Sequence, residues 1–395
     1  MDARSTSWAA LLAVALVGGA CNLEAALGVD GDGSSTSAMT EGGPGGSMGP
    51  GGPGSGVDGT TGASSGLTNA ATGEGPADSS GPGPEPTECA GRSLRIATFN
   101  VQSVGGMGSN QHQALADVIT RIDADVICLE EVLFYETADL FALAEATGYP
   151  RVIQGNEPPA IGGDFTNACL GRDDLSLVGS YSGWDLSPDQ EANDVGREIL
   201  VVRVDLSEPG LAPCRLGVVA LHLKSGQDSL DWFRRQVEAE RVVQAVEQYR
   251  AAYPGDPMVI MGDLNETIDD PALGSVFREV PVGLPPSYQV GSDIEFPLTY
   301  QPFDTFTGLG FTVTDAYQED SPSADETWND VVRLDYVLHA GAVVEGSEVY
   351  NACRDDGVDD PPEGNWLPKA GPPLDCAVSE DASDHFPVLV DLTLP

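Results

Sequence analysis

Beyond residue 90 the apolar residues fall into short runs with two different periods. Leu94–Val101 (LRIATFNV) reads as a strand that ends in polar residues. Leu115, Val118, Ile119 and Ile122 follow at the i, i+3, i+4, i+7 spacing of an amphipathic helix. Asp125–Glu131 (DVICLEE) is again a strand, mostly apolar as a central sheet position requires. A helix around Ala138–Thr147 stops at Gly148, a residue suited to the left-handed turn that closes helices. Arg197–Asp205 and Arg215–Leu223 are two further strands, and Leu230–Ala251 is the longest helix, its charges spread over the outer face. Met258–Gly262, Val332–Leu338 and Pro387–Leu392 complete the strand set. Strands and helices mix throughout without an internal repeat, so residues 89–395 read as one α/β domain.

The pattern before that point is different. Trp8–Ala20 (WAALLAVALVGGA) is an apolar run behind a single base, Arg4. It has the length of a signal-peptide core and is too short to span a bilayer. Small residues then lead to Cys21, as in a bacterial lipobox, with Gly18 where Leu is usual. Residues 1–21 are therefore expected to export the chain. Either Cys21 becomes a lipid-bearing first residue at the outer membrane surface, or ordinary cleavage leaves it as a spare thiol. Residues 22–88 are dominated by Gly, Ser, Pro, Thr and Asp, with no Lys or Arg between Arg4 and Arg92. Such a segment buries too little apolar surface to offset its chain entropy and reads as a disordered linker, either a functional tether or a plain spacer.

Composition adds two constraints. The chain has 18 basic and 62 acidic residues, a formal net charge of −44. Ten of those acids and one base precede residue 89, so the domain itself carries about −35. That balance argues against a protein that lives on attraction to polyanions, because phosphate binding normally runs on Lys and Arg. Seven cysteines less Cys21 leave Cys89, Cys128, Cys169, Cys214, Cys353 and Cys376, an even set that suits disulfides in an oxidising compartment. Cys353 and Cys376 flank an acidic, Pro-rich excursion and are the expected pair, whereas Cys128 reads as a buried thiol within a strand.

Chemistry-bearing residues recur at the ends of the apolar strands. Asn100 ends the first and Glu131 the second; His222 and Lys224 end a third; Asp263 and Asn265 end a fourth. Asp335 interrupts a fifth, and Ser383-Asp384-His385 precede the last. Any one of these has a plain explanation, since strand ends meet polar loops, but six in order along one chain do not. Two of the four His, His222 and His385, and one of the two Lys fall in this set. His112 and His339 lack such company and read as surface or satisfied positions.

TFNV, CLEEV, LHLKSG, MGDLN, RLDYVL and SDHFPV, in this order, resemble the endonuclease/exonuclease/phosphatase superfamily with the deoxyribonuclease I fold. The resemblance runs from about Leu94 to Leu394. It implies two mixed β-sheets packed as a sandwich with helices on both outer faces, and hydrolysis of phosphodiester bonds with Mg²⁺, or Mn²⁺ in its place. It implies Glu131 as the principal metal ligand, with Asn100 beside it and Asp384 a second contributor. Asp263 would position or deprotonate the attacking water, Asn265 would orient water and phosphate, and His222 would contact a non-bridging oxygen. His385 would act as acid/base, its imidazole held by Asp335; whether Asp263 or His385 is the base is left open.

There are departures from the pattern. Glu130 stands where Gln is usual, and Glu131 is preferred as ligand because alternation from Ile127 and Leu129 puts it on their face, with Glu130 the fallback. Tyr181, Asn167 and Arg172 are candidates for a phosphate contact. Arg197, Arg234 and Arg235 are candidates for the positive side of the cleft, against a plainer reading as solvated charges. Asp355, Asp356, Asp359 and Asp360 could take a structural Ca²⁺, though they lack EF-hand spacing and read more simply as a solvated loop. The expected substrate is nucleic acid and the expected state a monomer. The alternatives are a sphingomyelinase-type phospholipase C with Trp232-Phe233 or Tyr181–Trp184 as a membrane-entering hairpin, a small-molecule phosphatase, and, from another class, a surface-binding protein with a dead site.

Overall fold

Alternation along the first strand divides the molecule. In β1 (Arg92–Asn100) Leu94 and Ile96 enter one apolar cluster, while Ala97 and Phe99 enter another on the opposite face. The computed structural model describes residues 89, 91–155, 164–207, 213–319, 321, 323–357 and 367–395. The expected leader, Cys21 and linker lie outside the described residues, as do Asp359 and Asp360. After β1 come α1 (Asn110–Ile122), β2 (Val126–Leu133), α2 (Thr137–Thr147), β3 (Arg151–Gln154), β4 (Phe165–Gly171) and β5 (Asp174–Tyr181). Then follow β6 (Ile199–Asp205), β7 (Arg215–His222), α3 (Ser229–Ala252), β8 (Met258–Asp263), β9 (Val276–Phe277) and β10 (Leu298–Thr299). The chain closes with α4 (Pro302–Gly308), β11 (Thr312–Val313), β12 (Asp335–Ala340), β13 (Val343–Val349), α5 (Cys376–Ala382) and β14 (Val388–Leu394).

Two mixed six-stranded sheets result, ordered β13-β14-β1-β2-β4-β3 and β11-β12-β8-β7-β6-β5, with β9 and β10 as a separate pair. Ile96, Val126, Val202, Val218, Val259, Met261, Val337 and Val388 fill the space between the sheets. Ala97, Phe99, Ile127 and Leu129 pack under α1 and α2, and Val201, Val219 and Leu221 pack under α3. The architecture is thus the expected sandwich with helices on both outer faces. The helix ends follow local rules: Ser109 accepts from the His112 amide at the start of α1, and Gly148 closes α2 at φ 78°.

Three expectations are corrected. Cys128 is not a free thiol: it lies directly opposite Cys169 in the β2–β4 ladder and is bonded to it. Cys89–Cys214 and the expected Cys353–Cys376 complete the pairing of the domain's six cysteines. Asp335 opens β12 instead of interrupting a strand, because the preceding residues turn back so that Trp328 pairs with Val332. The structure also holds more elements than expected: β3, β4, β5, β9, β10, β11, β13, α4 and α5 lie outside the expected set.

Candidate active site

Register brings the strand-end residues together. In the second sheet β8 lies between β7 and β12, so its last residue, Asp263, pairs with His222 on one side and Asp335 on the other. In the first sheet β1 ends at Asn100, whose Nδ2 donates to Asp263 Oδ2 across the sandwich at 3.0 Å. His222 Nε2 lies 3.4 Å from Asp263 Oδ2 and 3.7 Å from Glu131 Oε1. His385, delivered by the turn before β14, places Nδ1 2.8 Å from Asp335 Oδ2 and Nε2 4.0 Å from Asp263 Oδ2. Ser383 secures that turn: its hydroxyl donates to the Asn100 carbonyl and accepts from the His385 amide. All eight residues expected from the sequence lie in or against one cluster, and Asn265 and Asp384 make further bonds of their own there. Asn265 donates its side-chain Nδ2 to the Leu223 carbonyl and its backbone N–H to Asp263 Oδ1. Asp384 Oδ2 accepts from the Trp328 indole at 3.1 Å, and its Oδ1 is buried without a partner.

Glu131 reaches the cluster by a route the alternation argument did not contain. Ile127 and Leu129 face the helices, and strict alternation would send Glu131 there too. A bulge between Leu129 and Val132, with Glu131 at φ 58°, turns its carboxylate toward His222 instead. Glu130 faces the inter-sheet space, fully buried, where Oε1 accepts from the Thr98 hydroxyl at 2.7 Å and Oε2 has no partner. A left-handed non-glycine residue stores strain of order 1 kcal/mol, and Asn265 at φ 50° is a second case in the same site.

Burial sets the charge states. It pushes Asp263 up to about 7, with Asp335 adding to the effect. Burial opposes charge on His385, but Asp335, with Asp263 and Asp384 behind it, outweighs this and raises the imidazole to about 10. His222 is driven the other way, well below the ordinary range, by burial and by the Arg197 charge. Glu131 is raised by burial, with Arg197 and His385 opposing.

Arg197 belongs to this site, although solvation had been its simpler reading. It donates to the Leu223 carbonyl at 3.0 Å and contacts the Ser225 hydroxyl at 3.4 Å, and its Nε is buried without a partner. Its position just ahead of the β6 apolar run was the available signal. The other candidates are engaged elsewhere. Arg172 pairs with Asp123, Tyr181 donates to Gln248, and Asn167 donates to the Glu198 carbonyl. Arg235 is buried against Glu266, and Arg234 covers the Tyr288 ring. Phe233 is fully buried, so Trp232-Phe233 is no exposed hairpin, and Asp355 is ion-paired with Arg121 inside the domain.

The donor set suits a hard divalent cation. Glu131 and Asp384 present carboxylate oxygens without a close cationic partner, one of them buried, and the Asp384 charge raises the cost of ionising Glu131. Asn100 turns its amide nitrogen toward the carboxylates while its oxygen accepts from Gln102, so ligation through that oxygen requires rearrangement. Asp263, Asp335 and His385 also meet the spacing of a ligand trio, with His385 Nδ1 and Asp335 Oδ2 engaged with each other and Asp335 Oδ1 buried without a partner.

The sequence profile of the Endonuclease/Exonuclease/phosphatase family matches residues 97–385. A search of curated proteins returns no significant match. Similar solved structures include an endonuclease/exonuclease/phosphatase from Beutenbergia cavernae, 19% identical, covering 77% of this chain and 72% of its own, with a TM-score of 0.47. Another is a mannosyl-6-phosphatase of Bacteroides thetaiotaomicron, 17% identical over 76% of this chain and 99% of its own, at a TM-score of 0.43. Truncated TDP2 of Caenorhabditis elegans is 15% identical over 76% and 98%, at 0.42.

Proposed function

The chain belongs to the endonuclease/exonuclease/phosphatase family of hydrolases, and from that premise we propose that it is a metal-dependent phosphodiesterase acting on nucleic acid. The observation that carries this reading is the meeting of Asn100, Glu131, His222, Asp263 and the Asp335–His385 pair at one edge of the sandwich. Phosphodiester hydrolysis needs a positioned water, a proton acceptor, a proton donor and compensation for charge on the non-bridging oxygens. Asp263, near 7, is poised to accept the water's proton, and its orientation is fixed by Asn100 and the Asn265 amide. His385, kept charged by Asp335, is suited to donate to the leaving oxygen through Nε2. His222 is held neutral and can donate one N–H to a phosphate oxygen, while Arg197 supplies fixed positive charge beside it.

Glu131 and Asp384 would hold Mg²⁺, with Asn100 beside them. Bound there, the ion would supply charge compensation to the phosphate. The choice of nucleic acid over other phosphoesters rests on Arg197, a positive group at the cleft of an otherwise acidic domain. Export and attachment through Cys21 form part of the proposal. They draw support from the leader pattern and from the pairing of all six domain cysteines, which suits an oxidising compartment.

Nicking of supercoiled plasmid by the purified chain tests the reading. Nicking is expected with Mg²⁺, and its loss is expected with EDTA and with His385→Ala. Intact plasmid from a folded protein would overturn the nuclease reading, and EDTA-resistant nicking would overturn the metal.

A further inference from the structure

Glu238 lies inside α3, 2% exposed, yet neither of its oxygens meets a side-chain cation within 4 Å among the described residues. Both oxygens instead accept backbone N–H groups from two separate segments at the cleft. Oε1 accepts from Gly196, immediately before Arg197, at 3.1 Å, and Oε2 accepts from Lys224, two residues after His222, at 2.6 Å. These are charge-assisted bonds, the stronger kind, and a buried carboxylate kept for two loop amides is an expensive brace. The same two segments meet each other where Arg197 donates to the Leu223 carbonyl. Arg235, three residues earlier on the helix, ties down the Lys224 and Gly226 carbonyls.

We infer that Glu238 is a positioning residue for turnover, fixing Arg197 against the His222 loop by holding the Gly196 and Lys224 amides on one carboxylate. The inference rests on the proposed reading of Arg197 as the fixed positive charge that faces the phosphate beside His222. A neutral amide at 238 accepts through one atom only, so one of the two segments is released while the volume is kept. Burial raises the Glu238 carboxyl, while the Arg234 and Arg197 charges and the Lys224 and Gly196 amides oppose that shift, which agrees with its place between the loops.

The test is a double-mutant cycle on the full chain, read as Mg²⁺-dependent hydrolysis of bis(4-nitrophenyl) phosphate, with melting temperatures recorded in parallel. Glu238→Gln is expected to lower kcat about tenfold, the scale of a small misplacement of a charge-compensating group. In an Arg197→Ala background the same change is expected to cost less than about threefold, because the group it places is gone. Glu238→Asp, which keeps the charge and shortens the reach, is expected to show the same coupling. Equal losses in both backgrounds, or no loss in either, would overturn the inference. An Arg197→Ala enzyme of full activity would instead remove the charge-compensating role of Arg197 on which it rests.

Discussion

Asn100 and Asp263 join the two sheets: the last residue of β1 donates its side-chain amide to the last residue of β8 at 3.0 Å. Both are buried, and the bond favours the charged form of Asp263 against the burial that pushes it to about 7. Asn100→Ala removes that donor, so the Asp263 pKa rises further and the acidic limb of the pH–rate profile moves up. A fall in kcat on the order of 10²-fold is expected near neutrality, partly recovered at higher pH. Measuring kcat/KM against pH with Mg²⁺ present checks it, and an unmoved acidic limb would contradict the role given to Asp263.

Glu131 exchanges local stability for its place in the site. It holds a left-handed φ of 58° and turns a carboxylate into a cluster already containing Asp263 and Asp384. Glu131→Gly is therefore expected to abolish Mg²⁺-dependent hydrolysis while leaving the fold as stable or more stable, by about 1 kcal/mol. Chemical denaturation beside an activity assay decides the matter. A variant that loses both activity and stability would mean that Glu131 is chiefly structural.

The elements that carry this site were legible because each joins a short apolar run to a polar stop: Thr98–Asn100, Leu221–His222 and Met261–Asp263 needed only alternation and composition. The pairing that unites them was not legible, since Asp263 meets His222 and Asp335 through strand order, which no local pattern encodes. Glu131 was placed in the site by a faulty step: alternation points it at the helices, and only the bulge reverses it. β5 went unread because none of its residues is buried, all being intermediate or exposed, as befits an edge strand with neither face fully covered. Arg197, Trp328 and Glu238 escaped emphasis for a shared reason. Each acts through a partner distant in sequence, so its residue type alone looks like ordinary solvation or packing.

Cys89–Cys214 closes a 125-residue separation and joins the ends of β1 and β7 that lie farthest from Asn100 and His222. Replacing both cysteines with Ala is expected to cost roughly 2–5 kcal/mol, mostly through the freer unfolded chain. Thermal unfolding should fall by several degrees, roughly 3–8 °C for a domain of this size, with kcat at 25 °C retained. A loss of kcat in the folded variant would show that the bridge reaches the site through the sheet.

Two buried carboxyls give stability a pH dependence of known sign. Burial raises Glu266, beside Arg235, and Glu319, 3.1 Å from Lys369, each to about 7 against an ordinary value of 4.5. A carboxyl with a raised folded pKa binds its proton more tightly in the folded state, so its contribution is full below 4.5 and is lost as pH rises through about 7. Each group therefore withdraws up to roughly 3 kcal/mol between pH 5 and pH 8. Denaturant midpoints across that window should fall with rising pH, and Glu319→Gln, which cannot ionise, should flatten the slope by no more than about a third, because Glu266 and Asp263 titrate in the same range. A slope that persists unchanged in Glu319→Gln would place the titrating group elsewhere and leave the Lys369 pair charged on both sides throughout the range.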